Sequence, residues 1–159
     1  MTLALGIDPG TASTGYGFVR LRPDGELEPG AYGVIATPAA GRAPVRLLTL
    51  YRELKALIAR HRPNAGAVEK LFFQRNVSTA LGVGQARGVV MLAFAEAGID
   101  LAEYTPNEVK QAVVGYGSAQ KRQVQEMVKV LLRMSVLPRP DDAADALAVA
   151  ITHLNTRRY

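Results

Sequence analysis

Four acidic residues of the chain occupy positions where an acid is unusual, and two of them end apolar segments. Asp8 follows the apolar residues 5–7 and precedes Pro9-Gly10, so it is expected at or near the end of a strand. Glu69 ends the short apolar segment 65–68 in the same way. A buried carboxylate without a partner costs several kcal/mol or takes up a proton, which favours a cation nearby. From its own stretch alone, Asp8 is equally well explained as a turn-forming residue.

The other two acids, Asp142 and Asp145, are three residues apart and share one face of a predicted helix. A helix N-cap explains one acid of the Asp141-Asp142 pair. It does not explain Asp145, which lies one turn inside an alanine-rich segment with the pattern of a buried helix. An acid without a partner is seldom found in such a segment.

Four carboxylates in one cleft repel one another unless divalent cations bind between them. Ligation by oxygen alone selects hard ions such as Mg²⁺ or Mn²⁺. Two such ions about 3.5–4 Å apart bind both sides of a phosphodiester, activate an attacking water and stabilise the leaving 3′ oxygen. The acids therefore predict a two-metal hydrolase that leaves a 5′ phosphate.

Composition limits the class of protein. A chain of 159 residues with 48% hydrophobic residues suits one domain, residues 1–159. The lack of cysteine excludes disulfides and thiolate metal sites and fits a reducing compartment. No apolar run approaches the roughly 18 residues of a membrane span, so a cytoplasmic protein without a membrane partner is expected. The net charge of +5 favours a polyanionic partner, although genomic base composition also enriches arginine.

The periodicity of apolar residues predicts an α/β fold. Three strands at 3–7, 15–21 and 26–35 form an antiparallel meander, joined in part by the turn Pro23-Asp24-Gly25. Two more strands are expected at 65–69 and 99–104. Helices are expected at 45–60, 76–97, 106–114 and 119–133, and a last one runs through Leu154. Together they predict a five-stranded mixed sheet with helices on both faces, in which Asp8 and Glu69 end neighbouring central strands.

Local signals add detail to the predicted helices. Thr105 and Glu108 have the spacing of a capping box, and Ser118 is expected to cap the helix at 119–133. Lys121 and Arg122 then lie in the first turn of that helix, where cations oppose the helix dipole unless a function requires them. Gly84 and Gly88 share a face of the helix at 76–97, which is expected to pack closely on the sheet or, alternatively, on a second subunit.

Six segments of the chain together carry a resemblance to a known family. They are Gly6-Ile7-Asp8-Pro9-Gly10 with Thr14-Gly15-Tyr16-Gly17, Val68-Glu69-Lys70-Leu71-Phe72, Gly84-Gln85-Ala86-Arg87-Gly88, Val109-Lys110-Gln111, Val114-Gly115-Tyr116-Gly117-Ser118-Ala119 and Asp142-Ala143-Ala144-Asp145-Ala146-Leu147-Ala148. In this order and spacing they resemble the RuvC Holliday-junction resolvases, over about residues 4–154. The first segment alone is common in the wider RNase H-like superfamily.

The resemblance implies an RNase H-like fold and a homodimer that nicks two opposing strands of four-way junction DNA symmetrically, with two Mg²⁺ per active site and the RuvA and RuvB proteins as partners. Its metal-binding tetrad corresponds to Asp8, Glu69, Asp142 and Asp145, and its catalytic lysines to Lys110 and Lys121. Its base-stacking aromatic corresponds to Phe72, in a predicted loop where Phe73 and Arg75 are further DNA-binding candidates. Lys110, Lys121 and Arg122 complete the predicted DNA-binding set.

Two features depart from the family pattern. Asp141 is an extra acid beside the tetrad, and Asp142 is the preferred ligand because it keeps the three-residue spacing to Asp145. Some relatives have histidine at the position of Asp142, so an acid here favours a different metal preference. The chain also ends at Tyr159 with little tail.

Three other functions compete with this interpretation. One is an RNase H-like nuclease acting on RNA or RNA–DNA hybrids, and this interpretation leaves Lys110, Lys121 and the Phe72 loop unexplained. A sugar-kinase or actin-like protein would need a second domain. A junction-binding protein without catalysis would need no acid at Asp145.

Overall fold

The computed structural model describes residues 1–38, 40–70 and 77–157. Its strands are β1 (Thr2–Asp8), β2 (Ser13–Leu21), β3 (Leu27–Ala36), β4 (Ala65–Glu69) and β5 (Leu101–Tyr104). They form one sheet in the order β3-β2-β1-β4-β5. The first three strands pair antiparallel, whereas β4 is parallel to β1 and β5 is parallel to β4. The predicted mixed sheet with its three-strand meander is therefore confirmed.

Helices cover both faces of this sheet, as predicted. They are α1 (Ala43–His61), α2 (Val77–Glu96), α3 (Pro106–Val113), α4 (Lys121–Leu131) and α5 (Asp141–Thr156). Helices α1 and α2 pack on one face through large side chains, among them Leu54 and Phe94. Helices α3, α4 and α5 pack on the other face, around Val128, Leu147 and Ile151. Alternate residues along β1 face opposite sides, so Leu5 and Ile7 contact the first group while Ala4 contacts the second.

Helix α5 lies unusually close to the strands because small residues separate them. A Cβ atom on Gly6 of β1 would overlap the carbonyl oxygen of Ala146, and one on Gly15 of β2 would overlap that of Asp142. Ala143 and Ala144 are also buried here. Backbone therefore meets backbone at this point, which fixes the N-terminal turns of α5 relative to the end of β1.

The structure corrects two predicted helix starts. Helix α4 begins at Lys121 rather than at residue 119, and its N-cap is Gln120 rather than Ser118. The side chain of Gln123 accepts a hydrogen bond from the Gln120 backbone N–H at 2.7 Å. At α5 the N-cap is Pro140, so neither Asp141 nor Asp142 caps the helix. Other starts agree with the sequence: the capping box of Thr105 and Glu108 is formed at α3.

The expectation that Gly84 and Gly88 pack on the sheet is wrong. A Cβ atom on either glycine would meet nothing within 4 Å among the described residues. The inward face of α2 is instead set by Ala86, Val90 and Phe94, which are buried and repeat at four-residue intervals. Residues 84 and 88 point away from that face.

A membrane helix is not found in the described part of the chain. None of its helices combines the length and the apolar character that crossing a bilayer requires.

Candidate active site

Asp8 and Glu69 lie side by side at one edge of the sheet. The parallel register of β1 and β4 pairs Ile7 with Val68, so the next residue of each strand is the acid. Both acids are partly buried. Burial, followed by the charges of the neighbouring carboxylates, raises the pKa of Asp8 to about 8. Burial is also the main reason that the pKa of Glu69 is raised.

The start of α5 brings two further acids to Asp8. Carboxylate oxygens of Asp8, Asp142 and Asp145 lie within 4.8 Å of one another. Asp142 is held by Ser13 at the start of β2, whose hydroxyl donates a hydrogen bond to its Oδ2 at 2.7 Å. Burial, opposed mainly by Lys121, raises the pKa of Asp145. Three oxygen donors from one strand and one helix thus face one point.

Asp141 points away from this group. Its Oδ1 accepts a hydrogen bond from Gln125 Nε2 at 3.0 Å, and its Oδ2 lies 3.7 Å from Lys121 Nζ. Both contacts are with α4. Of the adjacent pair, Asp142 is therefore the residue whose carboxylate meets Asp8 and Asp145.

Lys121 connects the acids to a neighbouring cleft. Its Nζ lies 3.5 Å from Asp145 Oδ2. Burial lowers the pKa of Lys121, but Asp145 and Asp141 more than offset this, so the pKa is raised and the side chain stays charged. A cleft of about 250 Å³ is lined by Lys121, Lys110, Glu69 and Asp145. The two lysines also oppose the rise in the pKa of Glu69.

Comparison with known proteins identifies the family. A family model described as crossover junction endodeoxyribonuclease RuvC matches residues 4–153. The chain belongs to the RuvC family. The predicted family and its nuclease class are confirmed, and every acid described above lies within the matched range.

Individual RuvC proteins agree with the family model. The RuvC of Syntrophomonas wolfei is 56% identical over 154 residues, which cover 97% of this chain and 89% of that protein. The RuvC of Chloroflexus aurantiacus is 58% identical over 153 residues, covering 96% and 93%.

Solved RuvC structures share the fold. Thermus thermophilus RuvC superposes with a TM-score of 0.90 at 37% identity, covering 97% of this chain and 94% of that one. The same protein in complex with a Holliday junction substrate gives a TM-score of 0.89 at 34% identity over the same shares of the two chains. The RNase H-like α/β sheet expected from the sequence is thereby confirmed.

The group of three carboxylates fits a hard divalent cation. Its donors are oxygens only, which is the ligand set that Mg²⁺ and Mn²⁺ prefer. With the acids this close, Asp8 holds a proton until well above the usual range of a carboxyl, so a cation would replace that proton. Asp145 belongs both to the group of three carboxylates and to the neighbouring cleft that Glu69 lines.

Of the other predicted DNA-binding residues, only Arg122 is among the described residues, and it does not line this cleft. Arg122 lies on the outside of α4, where its Nε pairs with Glu126 at 3.0 Å. Phe72, Phe73 and Arg75 lie outside the described residues. Their roles stay predictions.

Sequence reasoning missed Ser13. Its partner Asp142 is 129 positions away in the chain, so no local motif marks the contact. One signal was available, because Ser13, Gly15 and Gly17 alternate along β2 and are all small. Small residues on one face of a strand indicate that another backbone lies close to it.

Proposed function

We propose that this chain resolves four-way DNA junctions by hydrolysing one phosphodiester on each of two opposing strands, leaving 5′ phosphates. The observation that carries the proposal is the convergence of Asp8, Asp142 and Asp145 beside Glu69 in a RuvC-family chain. The T. thermophilus relative in complex with a Holliday junction substrate supports the choice of DNA. Residues 1–159 would act as one nuclease domain.

The four acids would hold two Mg²⁺ ions, with Mn²⁺ as a substitute. When bound, such ions lower the pKa of an attacking water and stabilise a leaving 3′ oxygen. The protein's part is to bring the carboxylates together before substrate arrives, which the close packing of α5 on Gly6 and Gly15 achieves. Oxygen-only donors support this choice of ion.

Lys121 and Lys110 would position the scissile strand. Both lysines line the cleft that also contains Glu69 and Asp145. A fixed cation there attracts a phosphate and offsets the negative charge that develops during phosphodiester cleavage. A function of this kind explains why Lys121 occupies the first position of α4, where the helix dipole disfavours a cation.

Phe72 would stack on a base exposed at the junction centre, with Phe73 and Arg75 contacting DNA nearby. The support is the position of these residues shortly after the Glu69 strand and the match of Phe72 to the family motif. Stacking of one base contributes about 1–3 kcal/mol. Phe72→Ala should then bind duplex arms almost normally but cleave junctions poorly. Unchanged cleavage would remove the stacking role.

A homodimer would place two such sites on opposing strands, and the outer face of α2 is the surface that suits a second copy. Val77, Leu81 and Met91 are exposed along one stripe of this helix, and Gly84 and Gly88 lie between them with open space around them. A row of large apolar side chains around glycines lets two helices approach closely. Leu81→Glu should convert the dimer to a monomer in light scattering, whereas Glu53→Gln on α1 should leave it unchanged.

The principal test is nicking of a synthetic four-way junction with Mg²⁺. We expect paired nicks from the unsubstituted protein and junction binding without nicking from Asp8→Asn. Asp24→Asn in the exposed β2–β3 turn is the matched control and should nick normally. Cleavage of RNA or of a hybrid in place of the junction would support the other RNase H-like nucleases, and binding without nicking by the unsubstituted protein would support a non-catalytic role.

By resemblance to its family, the chain would act in the cytoplasm with the RuvA and RuvB proteins. The high share of cationic residues outside the acid cluster suits a polyanion as the common substrate.

A further inference from the structure

A second feature of the same sheet edge lies on the opposite face, between α1 and α2. It is a groove of about 230 Å³, lined by Thr11 of the β1–β2 loop, Thr37, Arg46 of α1 and Gln85 of α2. We refer to it as the α1–α2 groove. It plays no part in the carboxylate chemistry described above.

The groove contains a guanidinium with unused hydrogen-bonding capacity. One terminal nitrogen of Arg46 donates to the carbonyl oxygen of Thr11. The Nε atom of Arg46 is buried and has no hydrogen-bond partner among the described residues. A buried donor without a partner is costly, and a guanidinium presents its donors in a fork that fits a phosphate.

The electrostatics of the groove favour an anion. Strands β3 and β4 run in the same direction as β1, so α1 and α2 follow at the edge that carries Asp8. Neither helix has an acid in its first turn, although the helix dipole favours one there. None of the described residues that line the groove is acidic.

The groove is also near enough to the carboxylates to meet the same DNA strand. Its rim residue Thr11 is three positions after Asp8, which limits their separation to about 11 Å at about 3.3–3.6 Å per residue. That distance spans about three nucleotides of one strand at most, since successive nucleotides rise about 3.4 Å along the duplex axis.

We propose that the α1–α2 groove binds a backbone phosphate of the DNA strand, about three nucleotides or fewer from the cleaved bond, through Arg46. The proposal rests on the proposed junction-cleaving function and adds a second point of attachment to it. Arg46 would fix the position of the strand over the carboxylates rather than take part in bond cleavage.

The test measures junction binding at several salt concentrations with Ca²⁺ in place of Mg²⁺, so that binding is followed without cleavage. Arg46→Gln should reduce the slope of log affinity against log salt by about 0.9, the amount expected for one lost phosphate contact. Arg46→Lys should keep most of the slope because it keeps the charge. Arg52→Gln, on an exposed position of the same helix, is the matched control and should bind like the unsubstituted protein.

A junction with single uncharged methylphosphonate linkages locates the phosphate. One linkage within about three nucleotides of the cleavage site should weaken binding by the unsubstituted protein and have no further effect on Arg46→Gln. Additive losses at every position would overturn the proposal. So would an unchanged salt slope with a lowered melting temperature, since Arg46 would then only support the Thr11 loop.

Three further outcomes separate this proposal from its alternatives. If inorganic phosphate stabilises the unsubstituted protein but not Arg46→Gln, while the salt slopes for DNA are equal, the groove binds a free anion and the DNA assignment is wrong. If the unsubstituted protein does not bind the junction at all, the proposed function fails together with this inference. If the unsubstituted protein binds and nicks the junction normally, and Arg46→Gln has the same salt slope as the unsubstituted protein, only this inference is refuted.

Discussion

The two faces of the sheet hold their helices in different ways. On the α5 face, glycines of β1 and β2 meet the backbone of α5, and alanines fill the space between. On the α1–α2 face, large side chains such as Phe18, Leu54 and Phe94 form a thick layer between helices and strands. The first arrangement leaves almost no freedom to shift a helix, whereas the second can adjust through side-chain rotation.

The difference corresponds to what each face must position. Asp142 and Asp145 are carried by α5 and have to meet Asp8 within a few ångströms. A displacement of about 1 Å at a reacting site can reduce a rate by about 10². The α1–α2 face carries no residue of the carboxylate group and has room for the groove beside Arg46. Precision is therefore concentrated where backbone contacts backbone.

The largest effect is expected at the start of α5, where one of two adjacent acids belongs to the carboxylate group and the other does not. Asp142→Asn removes one oxygen donor from the carboxylate group, and nicking of a four-way junction should fall by about a hundredfold or more. Asp141→Asn changes the same charge one residue earlier but affects only the contacts with Lys121 and Gln125. It should stay within about threefold of the unsubstituted rate, because exposed ion pairs contribute little. Equal losses from both substitutions would contradict the orientation of this helix start.

The glycines test the contrast between the faces directly. Gly15→Ala introduces a Cβ atom that overlaps the Asp142 carbonyl, so α5 must shift and nicking should fall by about 10². Gly66→Ala on β4 instead meets the ring of Phe94 on the opposite face. It should destabilise the fold by about 1–3 kcal/mol but leave the nicking rate of the folded protein nearly unchanged.

Stability and single-turnover nicking should be measured on both variants. Adding Phe94→Leu to Gly66→Ala should recover part of the lost melting temperature, because the smaller side chain makes room for the methyl group. No second substitution of this kind exists for Gly15, whose neighbour is backbone. If Gly15→Ala keeps both its melting temperature and its rate, the backbone contact is not what positions Asp142.

The positions of the four acids could be predicted because their signals are local. An apolar strand that ends in an acid is visible at Asp8 and Glu69, and the parallel pairing of their strands follows from the crossover through a helix. The spacing of Asp142 and Asp145 likewise depends only on helix geometry. The alternation of strands and helices along the chain follows from the same short-range patterns, and the strand order is expected on the condition that the later strands add beside the first.

The rest depends on how elements dock, which local patterns do not specify. Asp141 turns toward Lys121 and Gln125 because of where α4 lies beside α5. The outward direction of Gly84 and Gly88 depends on the rotation of α2 about its axis, which larger residues on its other side determine. Helix α4 starts later than expected, at the point where the Gln123 side chain accepts a hydrogen bond from the Gln120 backbone N–H.

A smaller effect is expected from Ser13, the residue that links β2 to the start of α5. Ser13→Ala removes the hydrogen bond to Asp142 Oδ2 without adding volume. Loss of a residue that orients a metal ligand typically reduces metal affinity or activity by about 10–100-fold. The hydrogen bond between Ser13 and Asp142 is only partly buried, which favours the lower value. Mn²⁺ affinity measured by calorimetry should weaken by about tenfold, and Ser13→Thr should restore most of it. Equal affinities of all three proteins would show that backbone packing alone orients Asp142.

The smallest effect is a dependence of metal-free stability on pH. It tests whether repulsion between the clustered carboxylates on the α5 face destabilises the folded protein. The folded-state pKa of Asp8 is about 8, above its ordinary value of 3.8, so the folded protein binds this proton more tightly than the unfolded chain. Unfolding free energy should therefore fall as pH rises from about 4 to 8 and level off above the folded pKa. The raised pKa values of Glu69 and Asp145 act in the same direction.

In EDTA, Asp8→Asn should melt several degrees above the unsubstituted protein at pH 8 and close to it near pH 4, whereas Asp24→Asn should follow the unsubstituted protein throughout. Mg²⁺ should raise the melting temperature of the unsubstituted protein at pH 8 but not that of Asp8→Asn, because only the former keeps the full set of donors. A metal-free melting temperature that rises across this pH range would mean that the carboxylates are stabilised by contacts within the protein, and the case for a cation between them would fail.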